Sequence, residues 1–208
     1  MPKQFLPLGD GRSVLEHAVE AFEAADEIDE IVIIMHRDWI RETELLCLQN
    51  GWEKVSKVLP GGQERWESSV QAIQAYADQD DTALLLHDAA RPWVSQRIIH
   101  DVCEALKEHN AVTVAVKMTD TLYRVADKQV EEIPMRSDYM RAQTPQAFHL
   151  KTIREAYRRA QEAGQIEATD DCGIVKRYLP DETIYIVEGD EQNRKITYAD
   201  DLHPTTHA

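Results

Sequence analysis

The chain of 208 residues carries 23 Lys and Arg against 38 Asp and Glu, a formal charge of −15. That balance argues against a nucleic-acid partner, whose phosphates are bound by lysine and arginine, and against an anionic membrane surface. An apolar fraction of 43% excludes a disordered chain, and no run nears the ~18 apolar residues of a membrane span.

The elements read in chain order from hydrophobic periodicity. Ser13 followed by Glu16 predicts a capping box opening a helix with Val14, Leu15, Ala18, Val19 and Phe22 on one face. Strands are predicted at IVIIM (31–35), VSKVL (55–59), ALLLH (83–87), VTVAV (112–116) and TIYIV (183–187). Helical spacing recurs between them, at Trp66, Val70, Ile73 and Ala77, then Ile98, Val102 and Leu106, and later Ile153, Ala156, Tyr157 and Ala160. A strand-to-strand interval of about 25–30 residues fits βαβ units with right-handed crossovers. Residues 117–147 break the rhythm. They are polar, contain Pro134 and Pro145, and read as an arm with a hairpin around Tyr123 to Ile133. The predicted fold is one α/β domain over 1–208, an open, mostly parallel Rossmann-like sheet with helices on both faces. Such a sheet normally opens with a buried strand and a glycine-rich turn; the first fourteen residues contain neither.

The amino terminus lacks a signal-peptide core. Cys47, Cys103 and Cys172 lie far apart with no CxxC pair, so a disulfide framework and a structural zinc are not expected, and a reducing cytoplasm is. The histidines form no HxH or HExxH motif.

Ligands of open α/β sheets sit beyond the carboxyl ends of the strands, which directs attention to four segments. PGGQERWESS (60–69) pairs Gly61 and Gly62 with a helix N-terminus that favours anions; it equally suits a plain tight turn. HDAARPW (87–93) sets Asp88 at a strand end, where a carboxylate holds Mg²⁺ or a ribose hydroxyl or simply caps a helix beside Arg91. The arm offers Arg136 and Thr144 to a phosphate, or solvated charges to a partner. TDD (169–171) and EGDEQNRKIT (188–197) bring Lys195, a strand-end cation or an ordinary surface lysine. Convergence of Lys3, Arg65, Arg91, Arg136 and Lys195 would make a positive pocket in an acidic protein, suited to a polyphosphate. GxxxxGK[ST] is absent.

Taken in order, PKQF (2–5), GGQER (61–65), HDAARP (87–92), TDT (119–121), IPMR (133–136), QTPQAF (143–148), TDD (169–171) and NRKIT (193–197) resemble the cytidylyltransferases that act on sugar-alcohol phosphates. The resemblance runs over nearly the whole chain. It implies transfer of CMP from CTP to a polyol phosphate with release of pyrophosphate, with Mg²⁺ as cofactor. It implies catalytic roles for Lys3, Arg136 and Lys195. Gly61, Gly62, Gln63, Arg65, Ser68, Asp88 and Ala89 would surround the nucleotide, with Asp88 also facing the metal. Thr121, Arg136, Thr144, Thr169 and Lys195 would surround the polyol phosphate. A homodimer is implied, in which the arm carries Thr121 and Arg136 into the neighbour's site.

Of the family's two branches, the sequence leans narrowly to 2-C-methyl-D-erythritol 4-phosphate and isoprenoid precursor synthesis. D-ribitol 5-phosphate, giving CDP-ribitol for cell-surface polymers, is the alternative. Family members carry a strand and a loop resembling AAGxGxRMG ahead of PKQF. That pattern is missing before Met1, so the expectation is that Met1 is an internal methionine of a longer protein. Two further alternatives are a non-catalytic dimeric paralogue and a hexose-phosphate nucleotidyltransferase.

Overall fold

The structure is a computed structural model describing residues 2–164, 166 and 168–202. The expected capping box starts α1 (Val14–Glu23): the Glu16 N–H donates to Ser13 Oγ at 3.2 Å, and the Ser13 N–H donates to the Glu16 carboxylate at 2.6 Å. β1 (Ile31–Met35) follows, then α2 (Ile40–Asn50), which ends where Gly51 adopts the left-handed conformation at φ 65°. β2 (Val55–Pro60) pairs parallel with β1 and leads into α3 (Arg65–Ala75). β3 (Ala83–Leu86), α4 (Gln96–Ala105) and β4 (Ala111–Lys117) complete the first half.

Beyond β4 the chain makes the expected hairpin, β5 (Arg124–Ala126) and β6 (Gln129–Glu132). Asp127 and Lys128 turn it at φ 47° and 63°, positive values at both central positions that match the twist of a two-residue hairpin. The return is β7 (Met140–His149), followed by α5 (Leu150–Glu162), α6 (Asp171–Tyr178) and β8 (Ile184–Glu188).

β7 corrects two expectations. The sheet is mixed rather than mostly parallel: in the order β3-β7-β4-β8, β7 runs antiparallel to both β3 and β4, while β4–β8 is parallel. The excursion ends at Tyr139 rather than near 147, because residues 140–149 enter the sheet. Its polar sequence and proline disguised a central strand. The β4–β7 register shifts at Thr113/Val114, so that Thr144 and Pro145 form a bulge, which excuses the missing proline N–H and re-aims the flanking side chains. Gln143, Thr144 and Gln146 are all buried.

Helices cover both faces, as expected. On one, Phe22 of α1 and Ile98, Ile99 and Val102 of α4 pack on Val112, Val114, Ala147 and Val187. On the other, Ile73 of α3, Ile153 and Ala156 of α5 and Ile174 and Val175 of α6 pack on Leu84, Ala111 and Phe148. Among the described residues no helix is long and apolar enough to cross a membrane.

β1–β2 is a separate two-stranded sheet. Between β1 and β3 lies a slot of about 830 Å³, walled by Leu15 and Val19 of α1 and by Ala72 of α3, and edged by Ile31–Ile34 and Leu84–Leu86. Among the described residues β1 pairs with β2 alone and β3 with β7 alone.

The polar core of β7 yields a stability test. Gln146 accepts from the Asp171 and Cys172 N–H groups at 3.1 and 3.2 Å and donates to Asp170 at 2.7 Å. Gln146→Leu leaves the buried Asp171 and Cys172 N–H groups without partners and should cost about 2–4 kcal/mol in urea denaturation. Lys151→Ala, which removes only an exposed contact to Asp81, should stay within about 0.5 kcal/mol.

Candidate active site

The loop after β3, the loop after β8 and the first turn of α3 meet beyond the carboxyl ends of β3 and β4. Asp88 stands at the centre. Its carboxylate lies 2.9 Å from Lys195 Nζ, 3.7 Å from Arg65 Nε and 3.8 Å from Arg91 Nε. Burial opposes the Asp88 charge, but the hydrogen bond and charge of Lys195, then Arg65 and Arg91, outweigh it and hold the carboxyl below its ordinary value. The expected convergence of cations is therefore found for Arg65, Arg91 and Lys195. Lys3, in a short turn at Lys3–Phe5, donates to the Ile196 carbonyl at 2.8 Å, one residue from Lys195.

Buried polar side chains hold these loops together. Thr144 Oγ1 accepts the Asp88 N–H at 3.0 Å and meets His87 Nδ1 at 3.0 Å; His87 Nε2 meets the Arg91 carbonyl at 3.0 Å. A carbonyl only accepts, so Nε2 carries the imidazole proton and Nδ1 accepts from the Thr144 hydroxyl. Arg91 donates to the Asn193 carbonyl at 2.7 Å, and Asn193 donates to the Thr144 carbonyl at 2.9 Å. Gln143 grips both peptide groups of Asp190, and the Ile196 N–H donates to the Ala90 carbonyl. Arg91 is thus an interior strut, with 11% of its side chain exposed, rather than a surface partner.

At the glycine turn the backbone comes close to α3. A Cβ on Gly61 would stand 2.8 Å from Ser68 Oγ, and one on Gly62 would stand 2.1 Å from Glu67 Cβ. At this helix N-terminus the Gln63 and Glu64 N–H groups donate to the Glu67 carboxylate at 2.5 and 2.9 Å, an anionic acceptor supplied by α3 itself. Arg65, Ser68, Asp88 and Ala89 line one end of the slot together. Arg65 also reaches inward to Asp171 Oδ2 at 2.7 Å.

The remaining candidates sit on other segments. Arg136 donates to the Thr119 carbonyl at 2.8 Å, within the arm, and Thr121 is exposed there. Thr169 is exposed beside Asp170, whose side chain caps α6. The sequence marks the segments holding His87, Gln143, Gln146 and Asp171 without a role for these residues and gives Asn193 only a turn; their signal is polar type inside apolar-flanked strands and strand ends.

Desolvation pushes His87 down to about 4, so it is neutral in the folded protein at pH 7. An unfolded histidine titrates near 6.5. Between those values the unfolded chain binds the extra proton, so this contribution to stability is complete above about 6.5 and declines as the pH falls toward 4. Denaturant titrations at pH 7 and pH 5 should show a loss in the wild type that His87→Gln reduces; equal losses in both proteins would refute the assignment.

Residues 1–206 match the family described as 2-C-methyl-D-erythritol 4-phosphate cytidylyltransferase (IspD). A 2-C-methyl-D-erythritol 4-phosphate cytidylyltransferase of Thermobifida fusca (strain YX) is 45% identical over 207 residues, covering 97% of this chain and 83% of the relative. A bifunctional ribulose 5-phosphate reductase/CDP-ribitol pyrophosphorylase of Haemophilus influenzae is 40% identical over 204 residues, 97% of this chain but 43% of the relative. Among solved structures, 4-diphosphocytidyl-2C-methyl-D-erythritol synthase from Anaerococcus prevotii DSM 20548 superposes with a TM-score of 0.84 at 29% identity, covering 94% of this chain and 84% of that one. Sequence and fold agree along nearly the entire length, and the chain belongs to the 2-C-methyl-D-erythritol 4-phosphate cytidylyltransferase family.

Proposed function

We propose that the protein transfers CMP from CTP to 2-C-methyl-D-erythritol 4-phosphate. The observation that carries this reading is the Asp88 cluster, in which Lys195, Arg65 and Arg91 surround one carboxylate at a strand end. An oxygen of the substrate phosphate attacks the α-phosphorus of CTP, the bond from that phosphorus to the bridging oxygen breaks, and pyrophosphate leaves with the electron pair. The attacking phosphate is already ionised at neutral pH, so the protein contributes positioning and stabilisation of negative charge rather than a general base. Lys195 and Lys3, tied to one loop, suit that task, and Arg65 with Ser68 and Ala89 suits the nucleotide.

Among the described residues no three His, Cys, Asp or Glu side chains group as metal ligands. Asp88 is paired with Lys195 at 2.9 Å, so it would hold Mg²⁺ only together with substrate phosphates, as one or two carboxylates commonly do. Bound there with CTP, Mg²⁺ would neutralise phosphate charge.

Two structural features belong to the same reading. The active protein fills the slot between β1 and β3 with one further strand; two open sheet edges and apolar walls support this. The β5–β6 arm meets a second copy of the chain. Tyr123, Val125, Val130, Ile133 and Met135 are between 53 and 70% exposed, an apolar surface that monomers rarely leave uncovered. Arg136 and Thr121 ride on that arm and would reach the partner's site.

The decisive assay is pyrophosphate release with CTP, Mg²⁺ and each polyol phosphate in turn, on this chain and on a version extended upstream by a strand and loop. Activity should favour 2-C-methyl-D-erythritol 4-phosphate and be stronger in the extended version. Lys195→Ala should lower kcat roughly 10²–10³-fold. Preference for D-ribitol 5-phosphate, which the Haemophilus relative brings into view, would reassign the substrate. Silence with both polyols would favour the non-catalytic paralogue. For the arm, sedimentation should show a dimer that Val130→Glu with Ile133→Glu converts to monomer; an unshifted species would remove the arm from the interface.

A further inference from the structure

Arg65 is divided between two carboxylates. Its Nε faces Asp88 at 3.7 Å, and its Nη1 meets Asp171 at 2.7 Å. Asp171 is fully buried, and its other oxygen, Oδ1, accepts from the Tyr157 hydroxyl at 2.7 Å. Tyr157 is itself buried on α5, and the Asp171 N–H is fixed by Gln146 of β7 at 3.1 Å. Asp171 therefore has almost no freedom to turn. The short ion pair at Nη1 is the contact that orients the group: a guanidinium is a rigid planar fork, so holding Nη1 against a fixed carboxylate restricts its plane, while Asp88 at 3.7 Å adds attraction without a hydrogen bond. Both Asp171 and Asp88 act on Arg65 in one electrical sense. Burial disfavours the Arg65 charge, and Asp171 followed by Asp88 more than restores it.

We propose that Asp171, locked by Tyr157, is a positioning residue that orients the Arg65 guanidinium for the triphosphate of the incoming nucleotide. This rests on the reading of Arg65 as a nucleotide contact. Asp171 touches no reacting atom in this assignment; it acts through Arg65 alone. A fully buried carboxylate facing a part-exposed arginine is costly to keep unless its geometry is used, since a well-packed apolar pair is often as stable.

The test uses Asp171→Asn, which keeps the volume and an acceptor oxygen but removes the negative charge that holds the guanidinium, and Tyr157→Phe, which removes the donor that locks the carboxylate. Two readouts are needed. Calorimetric titration of CTP with Mg²⁺ should give a Kd raised roughly tenfold in D171N, the scale of one lost charge-assisted hydrogen bond. The rise should be smaller in Y157F and absent when D171N is added to Arg65→Ala. Nitrogen-15 NMR of the arginine side chains should show slowly exchanging, separate Arg65 Nη signals that merge in D171N. A merely structural role would lower the melting temperature without moving these signals. Unchanged Arg65 signals, or losses from D171N and R65A that add in full, would overturn the proposal. If D171N does not fold, Y157F decides by the same two measurements. An R65A protein that binds CTP normally would count against the nucleotide-site reading instead, and the NMR signals would still decide whether Asp171 holds the guanidinium.

Discussion

The polar stretch Gln143-Thr144-Pro145-Gln146 sits in the centre of the sheet, and the surrounding loops take their positions from it. Three of those side chains are buried and polar. Each would cost about 1–3 kcal/mol if left without partners, so the chain must bring partners to them. The groups that answer are the backbone of Asp88, the peptide groups of Asp190, the side chain of Asn193 on Gln143 Oε1 and the first N–H groups of α6. These belong to the segments that carry the charged site residues. One strand thus fixes the loop with Asp88, the loop with Lys195 and the helix with Asp171, by hydrogen bonds rather than by apolar packing. The β7 bulge is what allows neighbouring polar residues to serve different loops, since regular alternation would send them to opposite faces.

An acidic protein has here built a locally cationic site. The overall charge is −15, yet Arg65, Arg91 and Lys195 gather on one carboxylate. Asp88 balances only part of that charge, which leaves a field suited to a polyphosphate. Asp171 meets Arg65 from the buried side at 2.7 Å, so the guanidinium is held from behind.

Much of this was legible in the sequence because it rested on local rules. Ser13 and Glu16 announced the start of α1, β-branched runs announced β1, β4 and β8, and the hairpin was placed within a few residues. Asp88, Arg65 and Lys195 were legible as charged residues past strand ends. β7 was not, because periodicity marks strands by apolar side chains, and Gln143, Thr144 and Gln146 are buried through long-range partners more than twenty residues away. Arg91 was read as near the site but not as an interior strut, for the same reason. The acceptor that meets the donors of the glycine turn, Glu67 inside the helix they begin, is not marked out by spacing alone.

The division of the sheet bears on how far the site is set by this network. Gly61 and Gly62 follow β2, whose only sheet partner among the described residues is β1. Asp88 follows β3, which belongs to the other sheet. The two sheets are linked across the slot by helices, with α1 and α3 on opposite sides of it. Arg65 crosses the same divide: it is the first residue of α3, yet its side chain ends on Asp88 and Asp171. An ion pair this exposed at one end gives little net stability, but it sets direction. The glycine turn is therefore referenced to the β7 network through the Arg65 guanidinium, and the alignment of the start of α3 with the strand-end loops depends on how firmly that group is held.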